Sequence, residues 1–190
     1  GDLGGGSLEL YPMESGGAPA GETHELGVIR LQDDSKSSPL KARSLGKTRL
    51  KDSMLATRAP GGDFCAIGGT WRALAKIHQV VRDYPLHMVQ HYAVKASEMA
   101  RFCEEILEAV DAGKPFPGSE AASSSRRELI PYGAAVLAEA IRVGRFDTIV
   151  FSALGVREGY LYGLLDRSQQ ELDPLIEAAE EMSILRSRSP

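Results

Sequence analysis

Residues 63–81 read DFCAIGGTWRALAKIHQVV. The apolar run Phe64–Ile67 predicts a short buried strand, and the pair Gly68-Gly69 ends it. The apolar residues that follow at helical spacing are Leu74, Ile77, Val80 and Val81. A buried strand, a tight glycine turn and an amphipathic helix in succession indicate an α/β fold.

The chain before this unit is predicted to begin with β structure. The runs SLELYPM (7–13) and THELGVIRLQ (23–32) flank the loop ESGGAPAGE, a pattern typical of an antiparallel hairpin. Together with a short strand that ends near Asp2, these runs make a predicted three-stranded meander. Residues 33–57 follow as one predicted helix, whose start is marked by Ser and Asp residues and by Pro39.

The chain after residue 81 is predicted to be mostly helical. The stretches 95–113 and 123–144 carry apolar residues at helical spacing, and FDTIVFSALG (146–155) predicts a central strand. Short helices are predicted from Val156 and after Asp173-Pro174. The predicted fold is therefore α/β with a mixed five-stranded sheet, an antiparallel meander followed by parallel strands, and helices on both faces.

Composition limits the classes of function. The chain of 190 residues suits one domain, and 43% hydrophobic with 25% charged residues is typical of a soluble globular protein. A net charge of -4 argues against a dedicated nucleic-acid-binding protein. Because no stretch is long and apolar enough to cross a membrane, we expect a cytoplasmic location. Cys65 and Cys103 lie in apolar contexts and are interpreted as free buried thiols.

The stretch DLGGGSLE (2–9) is a candidate phosphate site. Glycine permits φ > 0 and lets backbone amides approach a ligand closely, so consecutive glycine amides can form an anion cradle. The candidate anion-binding residues are Gly4, Gly5, Gly6 and Ser7. On a tight hairpin Asp2 and Glu9 flank this cradle, and carboxylates suit Mg²⁺. From this motif alone, an ordinary glycine hairpin with surface acids is the better interpretation.

Two further glycine turns follow predicted strands. Gly68, Gly69 and Thr70 lie at the start of a predicted helix, where free amides favour anions, and SALGVREG (152–159) places Arg157 at another helix start. Each turn alone also fits a close strand-to-helix crossing or a surface Arg–Glu pair. Because ligands gather outside the carboxyl ends of strands in α/β sheets, three such turns together favour a phosphate site.

Two other groups of residues are weaker candidates. Lys47, Arg49 and Lys51 on the predicted basic helix would guide a long polyanion, although a solvated basic face is the better interpretation. The histidines His78, His87 and His91 show no recognised metal-ligand spacing. Residues 84–92 (YPLHMVQHY) are predicted to be a loop packed against the sheet.

The chain resembles the exopolyphosphatase / guanosine pentaphosphate phosphohydrolase family from Asp2 to about Asp166. The motifs that carry the resemblance, in the family's order and spacing, are DLGGGSLE, LGVIRL, AIGGTWRALAKIH, RRELIPYGAAVL and FSALGVREG. That family belongs to the actin and sugar-kinase-like ATPase superfamily, so the resemblance implies a ribonuclease-H-like domain. It implies that residues 1–168 are the family's second such domain and that residues 169–190 are a C-terminal helix or the start of an extension.

The resemblance also implies a function. Family members release terminal phosphate from inorganic polyphosphate, some act on guanosine pentaphosphate, and Mg²⁺ is required. By motif position, Asp2 and Glu9 are the metal-site acids, and Glu9 is the candidate catalytic residue of this chain. The phosphate-binding residues that the resemblance implies are Gly4, Gly5, Gly6, Ser7, Gly68, Gly69, Thr70, Arg126 and Arg157.

The chain also departs from the family pattern. The family's first domain, with its own phosphate loop and the expected general base, has no counterpart in these residues. We therefore expect that domain to be a partner, and the chain alone to hydrolyse polyphosphate poorly. A homodimer of the intact protein is compatible with the resemblance, whereas nucleic acid and membrane are not expected partners. Two alternatives stay open: an ATP-binding half-domain of a kinase or ATPase, and a non-catalytic module that binds polyphosphate or an alarmone.

Overall fold

The computed structural model describes residues 1–13 and 20–186. The chain forms two compact units, Gly1–Ala153 and Leu154–Pro190. The predicted boundary after residue 168 rests on the family resemblance and stays a prediction. Most of the predicted loop ESGGAPAGE lies outside the described residues.

The N-terminal strands form the predicted antiparallel meander. These strands are β1 (Asp2–Leu3), β2 (Leu8–Leu10) and β3 (Glu22–His24), in the order β1–β2–β3. The register places Asp2 opposite Glu9 and Leu3 opposite Leu8. Because side chains alternate along a strand, Leu8 is buried while Glu9 is exposed. The pairing therefore separates an apolar face from a face that carries the two carboxylates.

A second sheet follows later in the chain. Its strands are β4 (Asp63–Ala66), β5 (Tyr92–Lys95) and β6 (Thr148–Phe151). The central strand β6 runs parallel to β4, which confirms the predicted parallel arrangement, and antiparallel to β5. The predicted loop at residues 84–92 is wrong at its last residue, because Tyr92 begins β5. Its apolar pattern consists of Tyr92 and Val94 alone, which is too short to predict a strand.

Backbone hydrogen bonds link the two sheets at the edge of β1. Leu3 N donates to the Ile67 carbonyl at 3.0 Å, and Ile67 N donates to the Gly1 carbonyl at 2.9 Å. Gly68 permits this approach, since its φ is 113° and a Cβ there would lie 2.3 Å from the Leu3 carbonyl oxygen. The predicted single five-stranded sheet is therefore corrected: the strands of the described residues form two three-stranded sheets, linked by an isolated bridge between Asp2 and Ile67.

The helices of the first unit are α1 (Val28–Asp34), α2 (Pro39–Leu50), α3 (Met54–Thr57), α4 (Gly69–Val81), α5 (Ala96–Asp111), α6 (Ser124–Arg127) and α7 (Ile130–Gly144). The predicted strand at residues 23–32 is wrong beyond His24, because the chain turns into α1 and buries Val28 and Leu31 one turn apart. The single helix predicted over residues 33–57 is also wrong. Lys36 and Ser37 have left-handed backbone angles, and Ser38 then caps α2.

The helix α7 forms the centre of the first unit, and its residues from Ile130 to Ile141 are buried. One of them is an acid: Glu139 accepts hydrogen bonds from Arg43 Nε at 3.1 Å and Arg142 Nε at 2.7 Å. Arg43 of α2 also donates to Glu104 of α5 at 2.5 Å. This network compensates the buried carboxylate and joins three helices, and breaking one partner would leave an uncompensated charge.

The second unit is helical. Its helices are α8 (Val156–Gly163), α9 (Arg167–Gln170) and α10 (Pro174–Arg186). The helix predicted from Val156 is confirmed, and so is the start of the last helix, where Asp173 accepts a hydrogen bond from Ile176 N at 3.4 Å. Among the described residues, none of the helices combines the length and the apolar character needed to cross a membrane.

The two cysteines differ in exposure. Both thiols are free, as predicted, but only Cys103 is fully buried, and burial raises the pKa of its thiol. Cys65 on β4 is half-buried, because its strand position alternates with the core residues Phe64 and Ala66.

The histidine His78 is buried in an aromatic cluster. Its Nδ1 lies 2.7 Å from the Tyr92 hydroxyl, and its ring packs edge-on against Phe102. Its Nε2 lies 3.5 Å from Glu98 Oε1, and Arg82 is also close. Burial lowers the pKa of His78 to about 4, with Glu98 opposing the shift. His78 is therefore neutral in the folded protein at neutral pH.

We expect the free energy of unfolding to fall as the pH decreases from about 6.5 to about 4. The unfolded chain binds a proton to His78 near pH 6.5, whereas the folded chain resists it until pH 4, so protonation favours unfolding by up to about 3 kcal/mol. Urea unfolding across this range measures the slope. His78→Gln should flatten the profile, and the exposed His87→Gln is the matched control. An equal slope in His78→Gln and the parent would contradict this account.

Candidate functional site

Asp2 and Glu9 lie next to each other on one face of the first sheet. Their positions are directly opposite in the β1–β2 pair, which brings side chains of two such residues onto the same face. The Ser7 hydroxyl donates a hydrogen bond to Glu9 Oε1. Burial raises the pKa of Asp2 and the Glu9 carboxylate raises it further, while the N-terminal ammonium and Arg72 oppose this. The structure thus places the two predicted acids together beside the predicted glycine turn.

The first glycine turn is held by hydrogen bonds on its carbonyl side. Gly4 N donates to the Ser7 carbonyl at 3.0 Å, which closes the turn. The Gly4 carbonyl accepts from Val28 N at 3.1 Å, and the Gly5 carbonyl accepts from Ile29 N at 3.0 Å. The N-terminal amides of α1 are thereby used within the protein, so a phosphate at this turn would have to meet the amides of the turn other than that of Gly4.

The glycines of this turn were predicted partly because glycine permits φ > 0, and the structure does not support that reason. None of Gly4, Gly5 and Gly6 has a left-handed backbone angle, so φ > 0 is not what requires glycine there. Around Gly6 a Cβ would meet no atom within 4 Å. The fold therefore tolerates a side chain at this position, and the absence of one keeps the space beside the turn open.

Gly27 is the glycine that the fold does require. A Cβ there would lie 2.3 Å from Gly6 C and from Ser7 N, both backbone atoms of the first turn. Gly27 precedes α1 as its N-cap residue. Its missing side chain lets α1 approach the turn closely enough for the helix amides to reach the Gly4 and Gly5 carbonyls. Sequence reasoning assigned this residue to a strand and gave it no role.

The second glycine turn lies directly beside the first sheet. Gly68 caps α4 against Leu3, and Gly69 and Thr70 begin the helix. A Cβ at Gly69 would meet no atom within 4 Å. The Thr70 methyl group packs against Gly133 of α7, where a Cβ would lie 2.5 Å away. Because β1 pairs with the end of β4, the helix N-terminus and the carboxylate of Asp2 lie at the same edge of the strands.

Arg72 is a charged residue of this region that sequence reasoning missed. It lies in the first turn of α4, and its Nη1 donates to the Ala153 carbonyl at 2.7 Å. Its positive charge acts on Asp2. The signal was present in the sequence as the basic residue two positions after Thr70, since side chains of a helix point toward its N-terminus.

The other two predicted phosphate ligands, Arg126 and Arg157, lie on helices away from the two glycine turns in sequence. Arg126 lies in the short helix α6 and is exposed, and among the described residues no hydrogen bond or ion pair joins it to either glycine turn. Arg157 lies in α8 of the second unit and is exposed. Their assignment as phosphate-binding residues stays a prediction.

The predicted basic group is divided between two surfaces. Lys47 and Lys51 line a concavity of about 430 Å³ together with Arg142. Arg49 instead binds Asp34 Oδ2 at 2.7 Å and the Glu25 carbonyl. The three residues therefore do not form one continuous patch.

The donor set at Asp2 and Glu9 fits part of a magnesium site. Two carboxylates on one face, with the Ser7 hydroxyl beside them, are the hard oxygen ligands that Mg²⁺ accepts. Within residues 1–13 and 20–186, no three His, Cys, Asp or Glu side chains are grouped to hold a metal, and this includes His78, His87 and His91. Mg²⁺ usually keeps several waters and takes substrate phosphate oxygens, so two protein carboxylates are a sufficient protein contribution.

A family model matches most of the chain. The model of the Ppx/GppA phosphatase family matches residues 2–168, which is most of the chain. The chain belongs to the Ppx/GppA phosphatase family. No curated protein sequence matches the chain.

Solved structures of Ppx/GppA proteins share its fold. The type II variant of the Aquifex aeolicus Ppx/GppA phosphatase superposes with a TM-score of 0.64 at 20% identity, covering 84% of this chain and 54% of that one. An exopolyphosphatase from Cytophaga hutchinsonii superposes with a TM-score of 0.66 at 16% identity, covering 86% and 55%. The chain thus spans about half the length of these Ppx/GppA structures.

Two glycine-to-alanine substitutions should differ in their effect on the free energy of unfolding. Gly27→Ala forces a Cβ into the backbone of the first turn, so we expect the free energy of unfolding to fall by roughly 1–3 kcal/mol. Gly6→Ala enters open space at an ordinary backbone angle, so stability should be unchanged or raised by less than about 1 kcal/mol. Chemical denaturation of both variants measures this, and equal destabilisation would contradict the described packing of α1 on the turn.

Proposed function

We propose that the chain is the phosphate- and metal-binding half of a Mg²⁺-dependent phosphohydrolase that releases terminal phosphate from inorganic polyphosphate. The observation that carries the proposal is the meeting of two glycine turns at one edge of paired strands, with Asp2 and Glu9 facing each other beside them. Membership of a phosphatase family supports a hydrolase. The name of the Cytophaga structure, an exopolyphosphatase, supports polyphosphate as the substrate class.

The residues of this chain have separate roles in the proposed reaction. The amides of the first turn and of the N-terminus of α4 are suited to bind phosphoryl oxygens, since helix N-termini and glycine turns offer unpaired N–H groups. Asp2 and Glu9 would hold Mg²⁺, which supplies positive charge to the transferring phosphoryl group when bound. Ser7 orients Glu9 through its hydroxyl hydrogen bond. Water attacks the terminal phosphorus in line, and the bond to the next phosphate breaks.

Guanosine pentaphosphate is the second proposed substrate, because its 5′ end offers the same terminal phosphoanhydride. The turns contact phosphoryl groups alone, so they do not distinguish the two substrates. Discrimination would depend on residues that contact the remainder of the substrate.

Substitution of the two acids tests the proposed site. Asp2→Asn and Glu9→Gln keep the shape of each side chain and remove its charge, so we expect phosphate release by the full-length protein to fall roughly 100-fold in each. Raised Mg²⁺ should partly restore Asp2→Asn, because weakened metal binding is overcome by mass action. Glu108→Gln, an exposed residue of α5, is the matched control. Normal turnover in both acid variants would place the site elsewhere.

A parallel assay separates the proposal from its alternatives. The full-length protein is tested with polyphosphate, guanosine pentaphosphate and ATP under the same conditions. Phosphate release from either of the first two supports the hydrolase. Phosphoryl transfer from ATP to an acceptor would favour the kinase alternative, and tight binding without turnover would favour a binding module.

The isolated 190-residue chain should hydrolyse polyphosphate poorly or not at all. The family resemblance assigns the general base to a domain that these residues do not include, and proton removal from water contributes a large factor to such reactions. A malachite-green assay of released phosphate, run on the chain and on the full-length protein, measures the ratio of their rates. Equal rates would show that the base lies within this chain.

A further inference from the structure

A basic concavity lies between the C-terminal ends of α2 and α7. Its volume is about 430 Å³, and its lining residues are Lys47, Thr48, Lys51, Ala56, Arg142 and Val143. Sites for small ligands have volumes of about 300–1,000 Å³, so the concavity has room for a ligand. Among the described residues that line it, three carry a positive charge and none carries a negative charge. The lining therefore suits an anion.

The positive charges of the concavity are only partly balanced. Lys51 Nζ lies 3.6 Å from Asp52 Oδ2, but both side chains are well exposed, so this pair stabilises little. Arg142 donates through Nε to Glu139 Oε2 at 2.7 Å, and that carboxylate is shared with a second arginine. Lys47 and Lys51 are one helical turn apart, a spacing at which like charges destabilise a helix. An excess of positive charge therefore remains at the concavity.

The last carbonyls of the two helices are bound by other donors. Basic side chains near a helix C-terminus often bind these carbonyls. Here the Leu50 carbonyl of α2 accepts from Ser53 N at 3.2 Å and from Ser53 Oγ at 2.7 Å. The Gly144 carbonyl of α7 accepts from Arg58 Nη1. The cations that line the concavity are therefore left available for a ligand.

The concavity lies away from the glycine turns. Gly133, near the start of α7, packs against Thr70 of the second turn. Arg142 lies further along the same helix, roughly 14 Å from Gly133 along the axis at a rise of ~1.5 Å per residue. An anion held at the concavity is therefore separate from one held at the glycine turns.

We propose that this concavity is a second anion site, which binds a chain of linked phosphates through Lys47, Lys51 and Arg142. Linked phosphates place several negative charges close together, as three cations around one concavity require. The guanidinium binds phosphate oxygens in pairs, and the two ammonium groups add charge without a fixed geometry. The site goes beyond the proposed function, because it uses neither the glycine turns nor Asp2 and Glu9. Two sources offer this chemistry: the distal part of a polyphosphate substrate, and a separate oligophosphate molecule.

Lysine acetylation of the full-length protein tests the site. Tripolyphosphate should protect Lys47 and Lys51 from acetic anhydride at concentrations that leave the exposed Lys41 and Lys76 unprotected, as quantified by peptide mass spectrometry. Sulfate at the same ionic strength is the control for screening. Arg142→Gln should raise the tripolyphosphate concentration for half protection roughly three- to tenfold, because one of three cations is lost.

Two results would overturn the proposal: equal protection of all exposed lysines, and no protection of Lys47 and Lys51. Glu9→Gln should leave the protection unchanged, since this acid lies at the glycine turns, and a loss of protection there would contradict a separate site. Circular dichroism verifies that each variant is folded. If Arg142→Gln does not fold, Lys47→Gln with Lys51 as the acetylation probe gives the same comparison.

Steady-state kinetics distinguish the two sources. If the distal part of the substrate occupies the concavity, Lys47→Gln should raise KM for long-chain polyphosphate several-fold and leave KM for tripolyphosphate unchanged. Unchanged KM for both assigns the protected site to a separate oligophosphate, whereas an equal increase for both would contradict its separation from the glycine turns. Lys41→Gln is the matched control. If the parent releases no phosphate from either substrate, the proposed function fails, while the acetylation experiment still reports on the concavity.

Discussion

The pairing of β1 with the end of β4 rests on two backbone hydrogen bonds, from Leu3 N and from Ile67 N, and on the left-handed angle of Gly68. This short contact links the two sheets. It also places the first glycine turn beside the N-terminus of α4, because each follows one of the paired strands. Without it, Asp2 and the second turn would belong to separate parts of the unit, and the two glycine turns would not lie at one edge.

The glycines at the two turns fall into two groups, according to whether the packing leaves room for a Cβ. Gly27 and Gly68 are required by close contacts of backbone with backbone, at 2.3 Å from a Cβ in each case. Gly6 and Gly69 have open space instead. The Gly4 and Gly5 carbonyls of the first turn are hydrogen-bonded to α1 and the Gly4 amide closes the turn, so the other amides are what remain to meet a ligand. The turn is therefore ordered by the protein before any phosphate binds, which lowers the entropic cost of binding.

Much of this architecture is visible in the sequence. The strand–glycine–helix unit at residues 63–81, the helix α5 and the register that pairs Asp2 with Glu9 follow from apolar periodicity and the position of a turn. The error at residues 23–32 has a physical cause. Leu26 and Val28 fit the alternation of a strand, whereas Val28 and Leu31 fit the spacing of a helix, so this short run suits both patterns. The contact of Gly27 with the first turn favours the helix. No local pattern reveals such a tertiary contact.

Some residues of the candidate site are recognisable from the sequence and others are not. The acids and the glycine turns are recognisable as motifs, because their chemistry is local in sequence. Arg72 is recognisable only as a basic residue near a helix start, because its hydrogen bond goes to the Ala153 carbonyl 81 residues later in the chain. The same holds for the basic residues Lys47, Arg49 and Lys51, which lie close together in the sequence. Arg49 pairs with Asp34 and is thereby separated from Lys47 and Lys51.

The burial of α7 has a consequence for sequence variation. A helix enclosed on all sides from Ile130 to Ile141 offers no solvent-facing position at which a larger or polar side chain is accommodated. Exchanges there must conserve volume, and Glu139 can change only if its arginine partners change with it. The exposed four-residue helix α6, which ends three residues before α7 begins, carries no such restriction. Amino-acid substitutions among relatives should therefore be rare and correlated along α7. They should be frequent and independent of one another in α6.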